Sequence, residues 1–281
     1  MRDERLTVIR EGLAFGEGPR WRDGWLYYSD FYRHVVERLN VSGEVEEVAR
    51  VPTQPSGLGW LPDGRLLIVS MTDRKLLCME ADGTLREHAD VSHIAGFNCN
   101  DMVVDSSGRA YVGNFGSDRA LEGPQTATLA IVEADGTAAA GPDELAFPNG
   151  TVITPDGGTL IIGETMGKRL TAFDVRADGT LANRRLWADI DPHFPDGICL
   201  DVQGAIWVAD PVGKGVVRVV EGGEIVDRID TGRPAYACML GGEDGKRLFV
   251  VTGETSGDEA ARTRNGAIEW LDVEVPRDGL P

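Results

Sequence analysis

Basic residues are in short supply, with 28 Lys and Arg against 46 Asp and Glu in 281 residues, a formal charge of −18. That balance repels a phosphate backbone and leaves no polybasic face for anionic lipid, so neither nucleic acid nor a membrane surface is an expected partner. Long apolar runs are missing too, and none approaches the roughly 20 residues of a membrane span. The charged start, Met1-Arg2-Asp3-Glu4-Arg5, passes straight into Leu6-Thr7-Val8-Ile9 without the apolar core of a signal peptide. Cysteine is scarce, and Cys78, Cys99, Cys199 and Cys238 lie far apart in strand-like segments with no CxxC spacing. They read as small hydrophobes, and a reducing cytoplasm is the expected location.

Catalytic signatures are also lacking. No G-x-S-x-G elbow, no HExxH and no GxGxxG between a strand and a helix occur, which removes the usual serine-hydrolase and zinc-protease arrangements and any cradle for a nucleotide cofactor. Stretches of helical period with caps are absent. Gly (36) and Pro (14) are spread through turns instead of being gathered in a linker, so residues 1–281 form one expected domain.

What is present is a repeat. A turn ending in Gly precedes an apolar strand six times, at Gly24, Gly64, Gly108, Gly157, Gly204 and Gly245, with steps of 40, 44, 49, 47 and 41 residues. Such spacing suits blades of four strands. The expected fold is all-β, a six-bladed β-propeller with four-stranded blades. The leftover strand Leu6 to Gly12 closes the last blade against AIEWLDVEVP and protects the sheet edges. Asn114 to Thr126 and Gly253 to Gly266 are the only long irregular stretches, expected as loops over one face.

Aligning the repeats on their turns brings Glu17, Ser56, Asn100, Asn149, Asp196 and Ala237 into register at the start of each innermost strand, which lines the central channel. Two carboxylates and two amides thus converge where small or apolar residues would do. Two anions confined together call for a cation, and oxygen donors without His or Cys favour Ca²⁺ over zinc. Glycine follows at Gly18, Gly57, Gly150 and Gly197, expected to let the chain turn sharply beside the ion. Ser56 is too short to reach the axis, and Asp101 is expected to face away from it. His34, His88 and His93 read as surface or loop residues. His193, three positions before Asp196, borders the pocket, where imidazole could relay a proton. The second strands end at Asp30, Met71, Asn114-Phe115, Glu164, Asp210 and Glu254, an expected rim, with Phe31, Met71, Phe115, Met166 and Tyr236 as apolar wall.

The segments GEGPRW, FNCNDMVVDSSGRAYVGNFG, FPNGTVITPDG, PDGICLDVQGAIWVADP and ACMLGGEDGKRLFV together resemble the senescence marker protein, gluconolactonase and luciferin-regenerating enzyme family. The resemblance implies a calcium-dependent propeller that hydrolyses lactones or related esters. It implies metal ligands at Glu17, Asn149 and Asp196, with Asp196 also the general base, and a substrate or metal contact at Asn100. Sugar-lactone members often carry Arg two residues before the Asn100 position, whereas this chain has Asn98, so the substrate is left open among lactones, simple esters and phosphotriesters.

The expected chemistry is therefore hydrolysis in which Ca²⁺, with Mg²⁺, Mn²⁺ or Zn²⁺ as substitutes, polarises a carbonyl while Asp196 activates water. Asn100, Asn98 and His193 are the expected substrate contacts. Two other readings stay open: a non-catalytic propeller that binds a small molecule or a protein and holds a structural ion, and carbon–carbon or carbon–nitrogen bond formation with Glu164 or Glu254 as base. The sequence sets no oligomeric state.

Overall fold

The computed structural model describes residues 2–118 and 126–281. Residues 119–125 of the expected Asn114 to Thr126 loop lie outside it. The described residues form six four-stranded sheets, with helical structure confined to Phe31–Arg33 and Gly257–Thr263. Local chemistry explains the hairpins. At Pro62-Asp63-Gly64 the Asp63 carboxylate accepts from Arg65 N at 3.0 Å and Gly64 takes φ +88°, a value L side chains rarely tolerate.

Each blade runs outward from the channel. The innermost strands are Gly16–Arg22, Pro55–Trp60, Cys99–Val104, Pro148–Ile153, Ile198–Leu200 and Ala235–Gly241, and the second strands include Leu66–Ser70, buried throughout. A strand covered on both faces needs such an unbroken apolar run, whereas the third strand of that blade, Lys75–Met79, alternates half-buried and buried residues. Core side chains interlock between neighbouring blades, as where Leu67, Val69 and Leu76 of the second meet Met102, Val104 and Val112 of the third. All four cysteines are free and buried in this packing.

The propeller closes as expected. Thr7–Leu13 pairs with Gly266–Asp272 as the outermost strand of the sixth blade. Glu269, 1% exposed, fastens this seam by ion pairs of 2.7 Å to Arg2 and 2.8 Å to Arg233.

Two features depart from expectation. The stretch Gly253 to Gly266 holds a helix, Gly257–Thr263, preceded by Ser256, with Asp258 and Glu259 in its first turn and Arg262 in its last. That charge order complements the helix dipole. Seven residues with only Ala260 buried give no apolar period to detect. The C-terminal tail, assigned no role from sequence, crosses the far ends of the innermost strands. Leu280 N donates to Ile153 O at 2.9 Å, Asp278 N to Leu200 O at 3.0 Å, and Arg277 Nη1 to Trp21 O at 3.0 Å. It thereby ties together the first, fourth and fifth blades at the end opposite the ring. Among the described residues no helix is long and apolar enough to cross a membrane.

Candidate active site

The innermost strands are irregular at one shared place. Pairing slips between Glu17 and Arg20, Pro55 and Leu58, Cys99 and Met102, Pro148 and Thr151, and Ala235 and Ala237. A bulge there re-aims side chains that a regular strand would send sideways. Glu17, Asn100 and Asn149, each at one of these slips, share the floor of one cavity of ≈ 500 Å³ with Asp196, which precedes the regularly paired Ile198–Leu200, and Asn98 stands higher on its wall. Ser56 is buried and does not line this cavity.

The glycines beside the ring have a different cause from the one expected. Only Gly18 has positive φ. At Gly57 an added Cβ would meet Met102 N at 2.5 Å, at Gly150 it would meet Asp196 O and Ile198 N at 2.5 Å, and at Gly197 it would meet the Ala237 Cβ at 2.6 Å. Neighbouring innermost strands converge so tightly that no side chain fits between them. Gly150 N in fact donates across the gap to Asp196 O at 3.1 Å.

Asp101 also differs from expectation. Arg20 reaches it at 2.5 Å while donating to Leu58 O and Met102 O, so the bonds link the innermost strands of three successive blades. Such a path runs through the channel, and both side chains are buried. A one-residue bulge explains the difference, because it turns two consecutive side chains inward where strict alternation would turn one.

The electrostatics of the floor are strained. Burial pushes the Glu17 and Asp196 carboxyls well above the usual carboxylate range. The charges of Asp196 and Asp101 add to this at Glu17, and those of Asp101 and Asp210 at Asp196, where the Asn149 side chain opposes them. Glu17 Oε2 accepts only the short-range bond from Gly18 N at 3.1 Å, and Asp196 Oδ1 is buried with no hydrogen-bond partner. Asn149 Nδ2 points to Thr165 Oγ1 at 3.3 Å, and that hydroxyl donates to Pro195 O at 2.6 Å. Among the described residues no group of three or more His, Cys, Asp or Glu is arranged to hold a metal ion. The donor set here is two carboxylates with neighbouring amides, a type that suits a hard cation. An orphaned carboxylate oxygen beside a second buried carboxylate fits such an ion. Tyr236, on the cavity wall, has its phenol pushed up to about 12 by burial and by Asp196 and Glu17, so it keeps its proton at neutral pH.

His193 is not brought to the cavity. Its Nδ1 lies 2.6 Å from Asp210 Oδ2, and Asp210 also accepts from Val212 N and Gly213 N. The imidazole steadies the loop that carries Phe194 and Asp196. Other expected rim residues likewise turn to structural bonds. Asp30 accepts from Ala14 N and Phe15 N, and Asn114 donates to Thr128 O. Glu164 is fully buried and takes bonds from Ala146 N, Arg169 and Thr171. Burial opposes its ionisation, but Arg169 and Thr171 outweigh it and hold the carboxyl below its usual range. Glu164 is thereby occupied as an ion-pair partner, and Glu254 is exposed outside the cavity.

The apolar wall is as expected at Phe31, Met71, Phe115, Met166 and Tyr236, but Phe15, Gln54, Phe147 and Phe194 line it as well. The signal for these four was available in the repeat: each stands two residues before a ring position, and equivalent places in successive blades gather at one mouth of the channel.

Comparison with known proteins accords with this architecture. The pentonolactonase of Haloferax volcanii is 28% identical over 279 residues, covering 95% of this chain and 93% of its own. The 6-deoxy-6-sulfogluconolactonase of Pseudomonas putida is 25% identical, covering 90% and 88%. The solved structure of a calcium-binding protein, regucalcin, from Agrobacterium tumefaciens superposes with a TM-score of 0.81 at 24% identity, over 98% of this chain and 97% of that one. Residues 15–254 match the SMP-30/Gluconolactonase/LRE-like region, and the chain belongs to that family.

Proposed function

We propose that the protein is a divalent-cation-dependent hydrolase that opens a small-molecule lactone. Family membership and the lactonases among its relatives support the reaction class. The observation that carries the reading is the unpartnered, buried Asp196 Oδ1 beside buried Glu17 on the cavity floor. Glu17, Asn149 and Asp196 would hold the ion, with Ca²⁺ the best fit to their oxygens and Mg²⁺, Mn²⁺ or Zn²⁺ as substitutes. Bound there, the cation would supply Lewis-acid polarisation of the lactone carbonyl.

The remaining steps belong to the chain. Asn100 and Asn98 present amides on one side of the cavity and orient the lactone ring. Asp196, whose proton affinity burial raises, takes a proton from water as the water oxygen attacks the carbonyl carbon. The ring C–O bond then breaks, and the proton passes to the departing alkoxide to give a hydroxy acid. His193 acts at one remove, holding the loop that carries Asp196 through Asp210.

Asp196→Asn tests the assignment, because the amide keeps an oxygen for the ion and loses the base. Lactone turnover should fall by about 100-fold or more while calorimetry still detects Ca²⁺ binding. Full turnover with the ion bound would remove Asp196 as base.

A further inference from the structure

The cavity above the floor has a composition that narrows the substrate, given the hydrolase reading just proposed. Two residues before the six ring positions stand Phe15, Gln54, Asn98, Phe147, Phe194 and Ala235, and the first five all line the cavity. They form a second tier, carried by the segments that lead into the innermost strands at the same place in successive blades. Two of them are held in an uncommon backbone state: Gln54 at φ +68° and Phe147 at φ +62°, each directly before a proline. Positive φ in a non-glycine residue persists where the surroundings fix it, and such residues gather at ligand sites.

Aromatic rings close over this tier in two groups. Phe15 stacks on Phe31 at 5.2 Å and meets Tyr236 at 4.4 Å, while Phe115 stacks on Phe147 at 4.7 Å. The first group belongs to the first and sixth blades, and the second group to the third blade and the start of the fourth. In a ring of six blades, first faces fourth and third faces sixth, so the two groups stand opposite each other across the cavity. Between them stand Met71 of the second blade on one side and Phe194 and Val212 of the fifth on the other.

Among the described residues no Lys, Arg or His lines the cavity. The nearby Lys168 packs over Phe194 and pairs with Asp191. A substrate carboxylate, phosphate or sulfonate would thus meet no basic side chain among the described residues, and the two floor carboxylates would already balance the charge of a divalent ion held there. A lactone bearing several hydroxyls fares little better, since Thr165 Oγ1 already donates to Pro195 O. Among the described residues, Gln54, Asn98, Ser256 and the two tyrosines are the remaining polar side chains above the floor. Hydroxyls set against the phenylalanine walls would lose their water without gaining partners.

We propose that the preferred substrate is an uncharged lactone carrying an apolar substituent, an aryl ring or short alkyl chain, which lies between the two aromatic walls while the lactone carbonyl meets the polar floor. The test compares kcat/KM of the Ca²⁺-loaded protein for three γ-lactones: unsubstituted, phenyl- or alkyl-substituted, and polyhydroxylated. The substituted lactone should exceed both others by about tenfold or more, the discrimination a hydrophobic pocket gives. Phe147→Ala should narrow the ratio between substituted and unsubstituted lactones, and if that variant fails to fold, the wild-type panel still decides.

Equal or better turnover of the polyhydroxylated lactone would overturn the substrate assignment and leave lactone hydrolysis standing. If no lactone is opened, the hydrolase reading falls instead. Calorimetry with the matching lactams then decides the occupant: tighter binding of the phenyl-substituted lactam supports the apolar walls as its site, and equal or undetectable binding of all three overturns it.

Discussion

Arg20→Met probes the channel where its design is most exposed to failure. The guanidinium makes four bonds, to Leu58 O at 3.1 Å, Pro19 O at 2.9 Å, Met102 O at 2.7 Å and Asp101 Oδ1 at 2.5 Å. At that last distance and an effective dielectric constant of about 20, the gross attraction is about 6–7 kcal/mol. Desolvation of both groups offsets much of it, so the pair adds little net stability. Removing one half is another matter, since Asp101 would be left charged and buried close to Glu17 and Asp196. The expected loss is about 3–5 kcal/mol, or roughly 6–20 °C in Tm at about 2–4 °C per kcal/mol. Asp101→Asn should cost less, because Arg20 keeps its three carbonyl acceptors, and the double variant Arg20→Met/Asp101→Asn should lose less than the sum. Urea unfolding of the four proteins in chelator measures this cycle. A separate readout is the acid limb of the pH–rate profile: Asp101 raises both floor carboxyls, so neutralising it should move that limb to lower pH. Additive losses, or an Arg20→Met cost under about 1 kcal/mol, would refute the coupling.

Calcium should stabilise the protein more at high pH than at low. Glu17 and Asp196 hold protons in the fold that the unfolded chain has released, so metal-free stability falls as pH rises from about 4 through their raised values. A cation opposes that loss by replacing the protons, and the Tm gain on adding Ca²⁺ should be larger at about pH 8 than at about pH 5. Equal gains in a thermal-shift assay would argue against the floor as the site. Gly150→Ala should force the Asp196 backbone aside, since its Cβ would lie 2.5 Å from Asp196 O. A cost of about 1–3 kcal/mol and a fall of about 100-fold in kcat/KM are expected, and a variant with wild-type Tm and turnover would contradict the close approach. Glu164→Ala should lower Tm without changing the shape of the pH–rate profile, because its bonds to Ala146 N, Arg169 and Thr171 are structural. A lost ionisation in that profile would reinstate it as a base.

Much of this molecule was written in local pattern. Six glycine turns at near-constant spacing fixed six blades, because a hairpin depends on a few consecutive residues and a blade on the next hairpin. Ring register followed from the same turns, which is why Glu17, Asn100, Asn149 and Asp196 were found together. The short helix Gly257–Thr263 escaped because its signal lay in end charges and not in an apolar period.

Contacts between blades were a different matter. Strict alternation along a strand sends Asp101 away from the axis, and only the bulge that several innermost strands share turns it to Arg20. His193 and Asp210 are 17 residues apart, and nothing local joins them. Gly57, Gly150 and Gly197 look in sequence like flexible turns, yet the structure requires them because a neighbouring backbone occupies the space of a side chain. The sequence by itself determined the repeat, the closure of the ring and the donor types facing its axis, all of which depend on residue order within one blade. Which donors stay unpartnered, which pair with each other and what walls surround them was decided only by tertiary structure, because those outcomes depend on how tightly six separate blades converge on one axis.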